Sequence, residues 1–213
     1  MNCPRCFART TPEQNVCSAC GFSAVTLHRL IGNQWVRLER ITDSAHCLRL
    51  EDLRRCEVVL DDFERSFPQA FFAAYLGILP LDVNVSEIGF WLLNQGAFNT
   101  PLVSRRNDYG IVLAVDPSAK TLALSFGYAI ESYFDARTTQ KILAEIGGQL
   151  ATGAFGKAIE TACGRCGQVL RRHAKSVQWK PEAGLQGGPQ PHMGLAPLRS
   201  GHRAAKTEPP PPR

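Results

Sequence analysis

Two Cys-x-x-Cys pairs stand within the first twenty residues, Cys3-Pro4-Arg5-Cys6 and Cys17-Ser18-Ala19-Cys20, with ten residues between them. A two-residue gap lets a tight turn aim both sulfurs at one ion, while neighbouring backbone amides stabilise the sulfur charge. Four thiolates saturate a tetrahedral zinc and leave no position for water. The spacing therefore predicts a structural Zn2+ held by Cys3, Cys6, Cys17 and Cys20. Such an ion organises residues 1–23, which have no apolar core of their own. The alternative is a pair of disulfides, which needs an oxidising compartment that nothing else in the sequence indicates. A closed thiolate site points to scaffolding or partner binding rather than to catalysis.

The rest of the chain divides by composition. Residues 24 to about 167 mix apolar stretches of helical and strand character, whereas residues 176–213 hold eight of the 14 prolines and end in Glu208-Pro209-Pro210-Pro211-Pro212-Arg213. That tail carries too little apolar surface to offset its ordering entropy, so it is predicted to be disordered. From Gln168 onward eight Lys or Arg face two acids, a balance of +6 within a net charge of +5, which leaves the preceding residues at −1. A neutral body argues against a globular nucleic-acid-binding surface; only nonspecific binding through the basic tail is left. No apolar run reaches the roughly 18 residues of a membrane span. The first residues lack a basic-then-apolar leader. Both features predict a cytoplasmic protein.

Within the body, residues 25–31 and 35–41 flank Gly32-Asn33, which predicts a hairpin. Leu53, Cys56, Leu60, Phe63 and Phe67 recur at three- and four-residue steps and predict a helix ending at Pro68. The run 70–79 reads as a strand covered on both faces. Ser86 is placed to cap a short helix with Ile88, Trp91 and Leu92 inward. Residues 111–115 and 121–126 read as a hairpin about Asp116-Pro117-Ser118. A helix follows over about 136–150, and a last one starts near Phe155 and breaks at the glycines around Cys163. The class is α/β, a central sheet flanked by helices. Cys163-Gly164-Arg165-Cys166 is a third Cys-x-x-Cys without a haem-site His or a preceding strand. It is read as incidental, with redox chemistry or a metal site shared with Cys47 and Cys56 as alternatives.

If 111–115 and 121–126 pair antiparallel, their open end brings Asp108 close to Glu131 and Asp135. Three carboxylates on one loop edge suit a hard cation, Ca2+ or Mg2+, able to polarise a phosphate and activate water. Equally, Asp108 can shape a turn and Asp135 can cap the following helix.

These landmarks resemble, in order, those of the TPM domain, named after thylakoid-lumen and photosystem II repair phosphatase-like proteins. They run from Asp43-Ser44-Ala45-His46-Cys47-Leu48 through the helix and strand to Asn94-Gln95-Gly96. Asn107-Asp108-Tyr109-Gly110 follows, then Ser125-Phe126-Gly127-Tyr128-Ala129-Ile130-Glu131 and the trailing Asp135. The resemblance spans about residues 41–162, with the TPM-like domain placed at 41–167. It departs from the family where a Trp is missing near Gly96, where Tyr109 replaces Asn and Ser125 replaces Glu, and where Ala129 replaces a Gly. The resemblance implies a sheet flanked by helices with an acidic, cation-binding edge made by Asp43, Asp108, Glu131 and Asp135. It also implies a phosphatase in which Asp108, Glu131 and Asp135 are catalytic. The competing expectation is a non-catalytic adaptor in which the zinc ribbon or tail recruits a protein partner. Arg105 and Arg106 are the adjacent basic pair able to neutralise a phosphate.

Overall fold

The structure is a computed structural model, and it describes residues 2–11, 14–99 and 107–176. The tail, and with it the prediction of disorder, lies outside the described residues, as do Arg105 and Arg106. The framework is a four-stranded sheet of order β2-β3-β5-β6, with β2 (Ile41–Asp43), β3 (Phe71–Leu76) and β5 (Gly110–Asp116) parallel. The last strand, β6 (Thr121–Phe126), pairs antiparallel with β5, as the Asp-Pro-Ser turn predicts. A short strand β1 (Val36–Glu39) pairs in parallel with β4 (Gly96–Asn99) as a separate ribbon.

Strand alternation sorts the core into two layers. Ile111, Leu113 and Val115 of β5, with Phe72, Ala74 and Leu76 of β3, face three helices: α2 (Leu50–Ser66), α4 (Ala136–Ala151) and α5 (Phe155–Ser176). The other face presents smaller residues, Ala73, Ala114 and Ala123, to α3 (Val85–Gln95). Gly89 of α3 has Ser125 and Ala114 as its nearest neighbours, so small side chains on both partners let helix and sheet approach closely. Both faces of β5 are buried along its whole length, which explains its unbroken apolar run.

Three expectations are corrected. Residues 25–31 are not a strand: Ala24–Ile31 is a helix, α1, capped by Ser23, whose hydroxyl accepts from the Thr26 amide at 3.2 Å. Gly32, at φ +93, terminates that helix instead of turning a hairpin, and its carbonyl accepts from the Trp91 indole at 2.8 Å. Burial of Leu27 and two end caps outweigh the strand preference of Val25, Thr26 and Ile31. Likewise, α5 runs through Gly164 and Gly167 without a break. Its buried stripe, from Ala158 and Ile159 to Val169 and Leu170, outweighs the roughly 1 kcal/mol cost of each glycine. Finally, α3 is capped by Asn84, not Ser86, in a capping box with Glu87.

Asp116 closes the β5–β6 turn from inside. It is 4% exposed, and its carboxylate accepts from the amides of Leu79, Ser118 and Ala119. Burial pushes its pKa up, but the amide bonds outweigh it and hold the group below its ordinary 3.8. A depressed native pKa contributes stability above the unfolded value, lost as pH falls through the native one. Asp116→Ala, which strands three amides, is therefore expected to cost about 3 kcal/mol at neutral pH. Urea unfolding below the ordinary value of 3.8 should show a smaller difference between the variant and wild type.

Candidate metal centre and acidic edge

The four amino-terminal cysteines converge. Their sulfurs all lie within 4.8 Å of one another, with Cys3–Cys20 at 3.6 Å and Cys6–Cys17 at 3.7 Å. Tetrahedral ligands about 2.3 Å from one ion stand roughly 3.8 Å apart, close to these two separations. The separations are far too long for disulfides, and all four thiols are free. Each pair is built by the same turn. The Cys3 amide donates to Ala8 O and the Phe7 amide to Cys3 O; the Cys17 amide donates to Phe22 O and the Gly21 amide to Cys17 O. Amides of Ala19 and Cys20 draw the Cys17 thiol down to about 7. At Cys20 the Phe22 amide acts in the same direction, but burial and the neighbouring sulfurs push the thiol up to about 12. Four sulfurs so close cannot all ionise without a cation between them. The cluster can therefore hold a metal ion.

The equivalent turns differ in one respect. Gly21 adopts φ +71 as glycine readily does, whereas the matching residue of the first turn is Phe7, at φ +59. A bulky side chain in that region costs about 1 kcal/mol or more.

The knuckle is fastened to the body. Arg5 pairs with Glu87, which is 1% exposed on α3. The Ser86 hydroxyl donates to Pro4 O, and the Asn2 amide donates to Glu131 Oε1 at 2.8 Å. Phe22 meets Phe90 of α3 edge-on at 5.9 Å. The sequence offers the Asn84-x-x-Glu87 cap as a signal, but it gives no hint that Glu87 also receives Arg5 from 82 residues away.

The carboxylates are placed differently. Asp43, at the end of β2, accepts from the amides of Cys47 and Leu48 at 3.0 and 2.7 Å. Asp135 is the N-cap of α4, accepting from the Thr138 amide at 2.6 Å, and that bond holds its carboxyl below the usual range. Asp108 and Glu131 share an edge. Burial, and then the charges of these two groups, raise the Tyr128 hydroxyl. Among the described residues, the four cysteines are the group of three or more ligand-type side chains close enough for one ion. Gly127 sets the edge itself: a Cβ there would strike the carbonyl oxygens of Asn107 and Asp108. Ala129, where the family has glycine, needs no left-handed backbone; its amide donates to Asp108 O at 3.0 Å.

The third cysteine pair lies in the core. Cys163 and Cys166 on α5, and Cys56 on α2, are at most 1% exposed. Burial pushes Cys56 and Cys163 up to about 12, and Cys166 well above its ordinary value. Thiols so shielded are poor nucleophiles and serve as small core residues.

A mixed sheet with helices on both faces and a four-cysteine knuckle seated on α3 defines an α/β protein with an appended element able to hold a metal ion. Residues 41–169 match the TPM domain, and the chain belongs to that family. Among solved structures, the solution NMR structure of the N-terminal domain of a protein from P. gingivalis is similar at 16% identity and a TM-score of 0.49. That likeness covers 64% of this chain and 84% of that one. No curated protein sequence is significantly similar. Among the described residues, no helix is long and apolar enough to cross a membrane.

Proposed function

We propose that this TPM-domain protein is a non-catalytic binding module. In this reading its amino-terminal cysteines hold a structural Zn2+, and the knuckle or the tail engages a protein partner. The observation that carries the reading is the contrast between the two sets of ligand-type residues. The four cysteine sulfurs lie within 4.8 Å of one another, close enough to share one ion. The carboxylates instead accept backbone amides, Asp43 from two, Asp135 from the start of α4, and Glu131 from Asn2. A carboxylate engaged in local backbone bonds orders its own loop and is a weaker ligand for a shared ion.

A second reading keeps the acidic edge. The Ala129 amide bond to Asp108 O brings the loops of Asp108 and Glu131 together, with Asp135 at the start of α4, whereas Asp43 pairs in register with Leu76 and Val115 at the opposite end of the sheet. On that reading the module responds to divalent cations, and phosphoester hydrolysis with Asp108, Glu131 and Asp135 as catalytic groups is its strongest form. Calcium titration monitored by amide NMR shifts separates the two. Shifts at 107–110 and 128–135 that saturate, and vanish in Asp108→Asn, support the second; an unresponsive edge supports the first.

A further inference from the structure

Between the knuckle, α3, β6 and α4 lies a cavity of about 500 Å3. Its walls are aromatic: Phe7 from the knuckle, Phe90 from α3, Phe126 at the end of β6, and Phe134 just before α4. The rings of Phe126 and Phe134 stack on each other, with centroids 4.1 Å apart and planes within 12° of parallel. Glu131 contributes a carboxylate to the same lining. Volume and composition are those of a small-molecule site, with apolar walls and a few placed polar groups.

Phe7 gives the cavity its meaning. It occupies the left-handed position that Gly21 fills without strain in the second turn, and the residue is 68% exposed. Burial does not offset the strain, and glycine would close the turn equally well. Backbone strain held without a packing return marks a residue kept for its contacts with something else. Here the strained position carries an aromatic ring to the cavity wall.

We propose that this cavity binds a small aromatic cation, its ring lodged among Phe7, Phe126 and Phe134 and its positive group directed to Glu131. Aromatic faces attract both flat rings and cations, and a carboxylate on the wall selects for positive charge. The site is made jointly by knuckle and body, and the argument is independent of which ion the thiolates hold.

The test uses the full chain as purified, titrated calorimetrically with 1-naphthylmethylammonium and with its neutral counterpart 1-naphthylmethanol. One ammonium is expected per chain, binding more tightly than the alcohol, with the preference narrowed in Glu131→Gln. Phe7→Gly is expected to raise the melting temperature while weakening binding about fivefold. Loss of affinity in a more stable variant cannot come from misfolding. Ala136→Trp, which adds a ring from an exposed position on the cavity wall, is expected to block binding. Absence of saturable binding would overturn the proposal, as would equal affinity for amine and alcohol, or wild-type affinity in both Phe7→Gly and Ala136→Trp.

Discussion

Cys17→Ser is expected to abolish metal binding at the proposed site and, with it, the ordered structure of residues 2–11 and 14–23, while the sheet stays folded. The segment has little else to hold it. Cys3, Cys17 and Phe22 are its buried hydrophobic residues, and they join the cluster around α3 instead of forming a separate core. Thiolate metal sites contribute roughly 10 kcal/mol or more to the ordering of such segments, far beyond the knuckle's surface contacts. Release of the turns would withdraw Arg5 from Glu87 and Pro4 from Ser86, leaving a buried carboxylate on α3 without its guanidinium. The layer formed by α2, α4 and α5 makes no use of the knuckle, so β3 and β5 should keep their protection. Hydrogen exchange reads this directly. Fast exchange through residue 23 with slow exchange in β3 and β5 is expected; an unchanged pattern would mean that the docking contacts alone suffice.

The second large effect is expected at Arg40, the residue between β1 and β2. Its side chain is 12% exposed and meets three acids of α2: Glu57, Asp61 at 2.8 Å, and Glu64 at 3.6 Å. Glu57 and Asp61 are 38% and 52% exposed, so solvent screens their share. Glu64 is 5% exposed, and its carboxylate depends on the guanidinium charge. Arg40→Met should therefore cost about 3 kcal/mol, the usual penalty for removing one member of a buried pair. Adding Glu64→Leu should recover most of that loss, because the second change removes the buried charge. Urea unfolding of both variants measures it. A cost below about 1 kcal/mol for the single variant, or a double variant no better than the single, would contradict the account.

Where local and long-range forces agree, the sequence is a good guide. The stripe Leu53–Cys56–Leu60–Phe63 makes α2, and Asp116-Pro117-Ser118 turns β5 into β6 as predicted. Where they disagree, tertiary burial decides. Residues 24–31 are rich in strand-favouring side chains and precede Gly32-Asn33, which suits a hairpin turn, yet Ser23 and Gly32 cap them as a helix around buried Leu27. The glycines of α5 mislead for the same reason, because a buried helical face overrides them.

At the candidate sites the division is similar. Thiolate spacing is a local property, so the cysteine cluster is legible from sequence alone. The hairpin order places Asp108, Glu131 and Asp135 at one end of the sheet without the amides they accept, whereas the parallel register, which no local pattern reveals, puts Asp43 at the other end. Asp135 shows this best: the capping role available to it from sequence is the one the structure displays. The Arg5–Glu87 and Arg40–Glu64 pairs join distant segments and leave no trace in any local pattern.

The most direct test of the proposed function is phosphomonoester turnover by the purified full-length chain, titrated with Ca2+ and Mg2+ and assayed beside its metal content. One tightly held zinc per chain and no cation-dependent turnover is the result expected of a binding module. Turnover that rises with either cation and disappears in Asp108→Asn would contradict it, and would place catalysis on the acidic edge.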